Sequence, residues 1–319
     1  MAKKKENEEK KKYEIEELEG VGPATCEKLV DSGLSTFMSI ATSSPGEIAS
    51  VSGVSEATAR KIIKNAREQL KLGFEAANEY SKRRDNIKKI GTGCESFDNM
   101  LAGGLESGCI TEVYGSFGTG KTQLAHLLAV RALLEDKNNK VIYVDSENTF
   151  RADRIRDFAN ANKIDPEDAL SRVYVSRSFN SDHQMLLIDE VEKMLQEDKN
   201  YRVIIVDSLT SHFRSDFTGR GELATRQQKL NKHMHQLLKL ADMYNLVVLV
   251  SNQVMSSPGV CYGDPTIPIG GHIVGHASTF RIYLRPGKAG SIHAKLIDSP
   301  NLPISECDYK LVKDGFEEI

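Results

Sequence analysis

The sequence predicts an α/β core with a mostly parallel central sheet, preceded by a small all-α unit. Three observations predict it. Apolar β-branched runs recur along residues 90–319, separated by helical stretches, and each ends in polar residues. A glycine-rich octet, Gly115-Ser116-Phe117-Gly118-Thr119-Gly120-Lys121-Thr122, lies between a predicted strand and a predicted helix. Residues 13–72 instead carry helical periodicity interrupted by two glycine turns.

The chain has 319 residues, enough for two domains. Charged residues are 27%, aromatics 7%, and the formal net charge is −3. No apolar run reaches the roughly 18 residues of a membrane span, and the start Met1-Ala2-Lys3-Lys4-Lys5 lacks the apolar core of a secretory signal. Five cysteines, Cys26, Cys94, Cys109, Cys261 and Cys307, form no Cys-x-x-Cys. They read as reduced thiols of a cytoplasmic protein rather than a zinc site or a disulfide framework. The charge balance gives no global basic footprint, so any DNA contact must come from local features.

In chain order, residues 1–12 alternate Lys and Glu and read as a disordered charged tail. Residues 13–72 form a compact helical unit with Ile15, Leu18, Val21, Leu29, Val30, Leu34, Phe37, Ile40, Ile48, Val51, Val54, Ile62 and Ile63 as its core. Its turns, Glu19-Gly20-Val21-Gly22-Pro23 and Val51-Ser52-Gly53-Val54-Ser55, each precede a helix. The pair resembles tandem helix-hairpin-helix motifs, whose exposed backbone N–H groups suit a DNA phosphate without reading bases. A helical bundle that uses glycine only to reverse direction is the alternative. Residues 73–89 form a linker, with Phe74-Glu75-Ala76-Ala77 at its start and a basic second half. A lone Phe in a polar linker must pack on its own domain or on a neighbouring subunit.

In the core, Cys109–Tyr114 reads as a short alternating strand and Gln123–Val130 as a helix. Between them the glycines turn backbone N–H groups toward phosphate oxygens, and the helix N-terminus adds partial positive charge. Lys121 is placed to reach the β- and γ-phosphates, and the Thr122 hydroxyl to bind Mg²⁺. Three further strands end in polar groups: Val141–Val144 at Asp145-Ser146-Glu147, Val203–Val206 at Asp207-Ser208, and Leu246–Val250 at Ser251-Asn252-Gln253. In parallel sheets this is the edge where ligands bind. Asp207 has the Walker-B pattern and is the candidate Mg²⁺ carboxylate. Glu147 can polarise an attacking water, and Gln253 can sense the γ-phosphate. Plain strand-end capping is the alternative for both.

Two segments look unlike ordinary surface. Phe213–Gln228 sets Arg214, Arg220 and Arg226 around a Gly-Arg-Gly tip, a loop suited to a phosphate backbone. Met255–Gly271 is rich in Gly and Pro and long for a compact domain, which marks it as functional or disordered.

These residues together resemble the RecA-type recombinases from about residue 13 onward. The resemblance is carried by the helix-hairpin-helix unit, Phe74-x-x-Ala77, the glycine loop, Asp145 through Arg151, Thr218-Gly219-Arg220-Gly221, Gln227 through Leu230, and Asn252-Gln253-Val254. Gly263-Asp264-Pro265, Ile269 through His272 and His276 through Arg281 complete it. It implies a RecA-like P-loop ATPase core using ATP and Mg²⁺, with Glu147 as the catalytic carboxylate, Lys121 and Gln253 assisting, and Arg154 stacked on adenine. It implies that Phe74 and Ala77 dock onto the next subunit to build a helical filament. Asp298, in Ile297-Asp298-Ser299-Pro300, belongs to a cap over a neighbour's ATP. The arginine segment and the Gly/Pro segment, with Gly270 and Gly271, line the filament axis and hold single- and double-stranded DNA. The implied activity is homologous pairing and strand exchange. Asn148 stands where Gly is common, and Ala152 where Pro is common. A recombinase paralogue without strand exchange, a RecA-fold helicase or kinase, and a non-catalytic DNA scaffold are the alternatives; the intact Lys121, Thr122, Glu147 and Asp207 argue against the last.

Overall fold

The computed structural model describes residues 14–70, 72–256 and 266–319. The charged tail and residues 257–265 of the Gly/Pro segment lie outside these. So does the side chain of Arg220. Two compact units divide near residue 85.

The first unit is helical. Its elements are α1 (Pro23–Asp31), α2 (Phe37–Thr42), α3 (Pro45–Ser52), α4 (Glu56–Gln69) and α5 (Ala77–Arg84). Local chemistry sets their ends. Thr36 and Ser44 close capping boxes with Ser39 and Glu47, and Ser55 accepts from the Thr58 N–H. Pro23 and Pro45 occupy first-turn positions, where no N–H is needed. Ile15, Leu18, Leu29, Ile40, Ile48, Ile62 and Ile63 are buried as expected, while Val30, Phe37, Val51 and Val54 are only partly covered. Cys26, Ala41, Ala59 and Ala66 fill the close contacts between helices. The stretch read as a linker carries α5, and Phe74 just before it is fully exposed.

The second unit begins with β1 (Lys89–Ile90), α6 (Glu95–Met100), β2 (Leu105–Glu106), β3 (Cys109–Gly115) and α7 (Lys121–Ala132). It continues through β4 (Lys140–Asp145), α8 (Ala152–Ala161), α9 (Pro166–Ser171), β5 (Val173–Arg177), α10 (Ser181–Glu197), β6 (Tyr201–Asp207) and α11 (Ser211–Asp216). Then come α12 (Leu223–Tyr244), β7 (Val247–Asn252), β8 (Val254–Ser256), β9 (Thr266–Pro268) and α13 (Gly271–Ala277). The antiparallel run β10 (Phe280–Pro286), β11 (Ile292–Asp298), β12 (Ser305–Val312) and β13 (Gly315–Glu318) ends the chain.

Among the described residues, nine strands form one sheet in the order β13-β12-β11-β10-β3-β7-β6-β4-β5. From β10 to β5 every pairing is parallel; β11, β12 and β13 add on antiparallel. The central parallel strands β3, β4, β6 and β7 are buried on both faces, with successive side chains alternating between them. Val141 and Tyr143 join the core under α7, and Ile142 and Val144 join the core under α10 and α12. β3, the strand with an alternating sequence, is buried along its whole length. The register aligns the carboxyl ends: Asp145 faces Asp207, and Tyr114 faces Asn252.

The arginine segment departs from the loop expected of it. Arg214 lies in α11, a 3₁₀ turn spans Arg220–Glu222, and Arg226 sits at the start of α12. The apolar repeat of Leu230, Met234, Leu237 and Leu240 draws α12 onto the sheet and carries helix back toward Arg226.

Phe97 of α6 locks the antiparallel strands to the core. Its ring meets Tyr309 edge-on at 5.6 Å and Phe316 at 6.0 Å, and it is fully buried. Phe97→Ala is expected to destabilise the larger unit by about 3–5 kcal/mol. Denaturant unfolding would show this as a lower midpoint at unchanged slope; an unchanged midpoint would mean the antiparallel strands hold without this ring.

Candidate nucleotide site

The glycine loop leaves β3 at Gly115 and enters α7 at Lys121. Gly118 and Gly120 have φ of 78° and 85°, a region that glycine adopts freely. A Cβ on Gly120 would also stand 2.9 Å from Ile292 and Leu311 methyl carbons, so those side-chain ends would have to shift. The Thr119 hydroxyl donates to the Ser116 carbonyl at 2.8 Å and braces the loop from within. Lys121 Nζ donates to the carbonyls of Gly115 and Ser116 at 2.8 and 2.9 Å. Burial pulls its ammonium below the usual lysine range, and the Asp207 and Glu147 carboxylates act in the opposite direction.

Asp207 is 2% exposed at the end of β6. One carboxylate oxygen accepts from Tyr143 Oη at 3.0 Å and the other from Ser251 Oγ. Burial and the adjacent Asp207 push the Tyr143 phenol well above its ordinary range, so it stays a donor. The β4 and β6 ends are further joined through Ser146. Its N–H donates to the Asp207 carbonyl, its hydroxyl donates to the Ser208 carbonyl, and the same hydroxyl accepts from the Ser208 N–H, each at 2.8 Å.

The turn that presents Glu147 is held by two side chains that sequence reasoning did not single out. Asp145, 4% exposed, accepts from the N–H groups of Glu147, Thr149 and Phe150 at 3.1, 3.1 and 3.0 Å. The Arg151 N–H donates to His126 Nε2 at 3.0 Å. That bond leaves the proton on Nδ1, which faces the Thr122 carbonyl at 2.7 Å. Burial lowers the His126 pKa and keeps the ring neutral, as this double role requires. His126 thus ties the glycine-loop helix to the start of α8. Asn148 has φ of 59°, the left-handed region that Asn tolerates better than most residues, which accounts for Asn in place of Gly. The signal for Asp145 was present: like Asp207, it is an acid closing an apolar strand.

Glu147 is exposed, and its carboxylate accepts from Gln253 Nε2. Gly115, Ser116, Phe117, Gly118, Gly120, Lys121 and Thr122 line one cleft of about 480 Å³ with Glu147, Asp207 and Gln253. Thr119 is buried beneath it. Ser208 and Thr149 also line the cleft, and their buried hydroxyls meet no partner among the described residues. A phosphate-rich ligand with a divalent cation therefore fits: N–H groups and an ammonium on one side, carboxylates and hydroxyls on the other.

The remaining candidates lie outside the cleft lining. Arg154 donates to Gln123, to the Val312 carbonyl at 2.8 Å and to the Lys313 carbonyl at 2.6 Å, with its guanidinium 3.9 Å from the Phe158 ring centroid. Asp298 is exposed at the end of β11. Arg214 is exposed and Arg226 half-buried. Gly271 is exposed, but Gly270 is buried: its φ is 92° and a Cβ there would lie 2.4 Å from a Val274 methyl, so backbone and packing both favour glycine. Phe74 and Ala77 are exposed in the helical unit.

Asp145→Asn tests the turn. An amide in that position opposes at least one backbone N–H with its own NH₂, at a cost of about 1–3 kcal/mol. Denaturation should show that loss in the larger unit; unchanged stability would mean that the turn's N–H groups find other acceptors.

The chain is similar in sequence to known proteins. A helix-hairpin-helix tandem model, described as SAM-like, matches residues 13–68. The protein named DNA repair and recombination protein RadA, from Methanoculleus marisnigri, is 47% identical over 318 residues, covering 95% of this chain and 98% of that protein. The Rad51 family model matches residues 83–319, the stretch that holds the whole cleft. With that match and that relative, the chain belongs to the Rad51 family.

Proposed function

We propose that the chain is a DNA-dependent ATPase that forms a helical filament on single-stranded DNA and catalyses homologous pairing and strand exchange in recombination and repair. The observation that carries this reading is the convergence on one cleft of Lys121, from the start of α7, with Glu147, Asp207 and Gln253, from the ends of β4, β6 and β7. The Rad51 family match and the 47% identity to a protein named for repair and recombination support it.

In this reading the loop N–H groups and Lys121 receive the β- and γ-phosphates of ATP. The Thr122 hydroxyl and Asp207 would hold Mg²⁺, which supplies positive charge against the phosphates. Glu147 orients the attacking water and takes its proton as the water oxygen bonds to the γ-phosphorus and the bond to the ADP oxygen breaks. Gln253 holds the Glu147 carboxylate and senses the γ-phosphate. Arg154 flanks the base, and Asp298 serves a neighbouring subunit's nucleotide. Arg214, Arg220, Arg226 and Gly271, with Gly270 as a packing position, belong to the DNA-facing side. The helical unit's Gly20 and Gly53 turns, with φ of 94° and 78°, offer a second DNA contact.

ATP hydrolysis with and without single-stranded DNA, followed by joint-molecule formation with homologous duplex, tests the proposal. DNA-stimulated hydrolysis with joint molecules is the expected result. Stimulated hydrolysis without them would return the chain to the paralogue reading, and no hydrolysis would overturn both.

Glu147→Gln keeps the shape of the side chain and removes its charge. It is expected to bind ATP normally and to hydrolyse it about 10²-fold more slowly or worse. Normal turnover would remove Glu147 from the reaction.

Phe74 lacks cover in its own unit, and an aromatic anchor at an interface can contribute more than about 2 kcal/mol. Head-to-tail contacts repeat along an open helix, so the loss recurs at every joint. Phe74→Ala is expected to give small species in place of filaments, read by light scattering with ATP and DNA. Unchanged filament length would remove Phe74 from the contact between subunits.

A further inference from the structure

Behind the cleft, four side chains form a buried polar joint. Asn252, fully buried at the end of β7, donates through Nδ2 to Glu112 Oε1 and to the Ile269 carbonyl, both at 2.7 Å. Its Oδ1 accepts from Thr210 Oγ1 at 2.6 Å. Glu112, fully buried on β3, accepts through its other oxygen from Arg281 Nε at 2.7 Å. The Arg281 guanidinium lies under α13: a Cβ on Gly275 would stand 3.1 Å from Nη1.

Each end of the joint belongs to a different segment. Thr210 is the N-cap residue of α11, the helix that carries Arg214. Ile269 leads through Gly270 into α13, and its N–H donates to the Gln253 carbonyl at 2.9 Å. Asn252 adjoins Gln253, whose side chain donates to Glu147. A buried carboxylate needs a cation, and the Glu112–Arg281 pair alone meets that need. Asn252 does more: both of its amide hydrogens and its oxygen are spent on linking α11, α13 and the P-loop strand.

We propose that the Thr210–Asn252–Glu112–Arg281 joint is a positioning device that couples the α11 and α13 segments to the Gln253–Glu147 pair. The proposal rests on the reading that α11 and α13 face DNA and that Glu147 serves hydrolysis. A shift of α11 or α13 moves Thr210 or Ile269. Asn252 cannot follow one without straining its bonds to the others, because each broken bond leaves a buried polar group unpaired. The displacement reaches Gln253 through one peptide unit.

Thr210→Val tests the coupling with little change of shape, since it removes only the hydroxyl donor. The measurement is the ratio of ATP turnover with single-stranded DNA to turnover without it, for wild type, Thr210→Val, Asn252→Ala and the double variant. Thr210→Val is expected to lower that ratio about five-fold or more while basal turnover holds. The double variant should fall no lower than Asn252→Ala alone, because both remove one bond network. If Asn252→Ala does not fold, Thr210→Val decides by itself. A wild-type chain stimulated by DNA with an unchanged ratio in Thr210→Val overturns the joint alone. Basal and stimulated rates falling together overturn it too, and show a packing role. A wild-type chain that DNA does not stimulate overturns the functional reading with it.

Discussion

The Asp145 carboxylate is the constraint on which the nucleotide edge depends. It is nearly buried, and it accepts three backbone N–H groups from the turn that follows it. A turn of this kind has no strand or helix partner for its donors, and buried donors without acceptors cost about 1–3 kcal/mol each. One side chain meets that requirement at three positions, and His126 meets it at Arg151. Glu147 therefore projects from a backbone that is arranged by groups outside the cleft. Because His126 also bonds the Thr122 carbonyl, the glycine-loop helix and the Glu147 turn are held in one frame. Reacting groups in fixed relative position need little reorganisation when a ligand arrives.

The sheet supplies the frame in which this works. Parallel pairing from β10 to β5 sends the carboxyl ends of β3, β4, β6 and β7 to a single edge, and the register sets Asp145 opposite Asp207. Acidic groups so close would repel one another if all were left bare. Here the Asp145 carboxylate is stabilised by N–H donors and that of Asp207 by Tyr143 and Ser251, with Lys121 supplying the nearby positive charge. Glu147, the exposed member, is steadied by an uncharged amide from Gln253 and remains reachable from the cleft. The different environments give the carboxylates different work.

Much of this was legible in the residues. An apolar run ending in a polar cluster marks a strand buried on both faces, and three such runs, with the strand before the glycine loop, predicted both the parallel core and the ligand edge. The glycine octet predicted its own context. What escaped was structure with one wet face. β5 buries only Val173 well, and β12 alternates exposed charges with partly covered residues, so neither gives a continuous apolar signal. The arginine segment looked like a loop because Thr218, Gly219 and Gly221 dominate its local preferences, whereas packing of residues from Leu230 onward decides where α12 begins. Asp145 and His126 were visible as residue types but not as partners. Their role depends on a chain reversal after Asp145 and on a helix face arriving from elsewhere, which no local spacing records.

Asp145 and His126 organise the Glu147 turn before any nucleotide binds. Amide hydrogen exchange resolved to residues 146–151, measured without nucleotide and again with Mg²⁺ and a non-hydrolysable ATP analogue, tests it most directly. Slow exchange is expected at Glu147, Thr149, Phe150 and Arg151 in the free protein, with little further protection on adding the analogue. Rapid exchange at these amides that slows only when the analogue binds would contradict it, because the ligand and not Asp145 would then be ordering the turn.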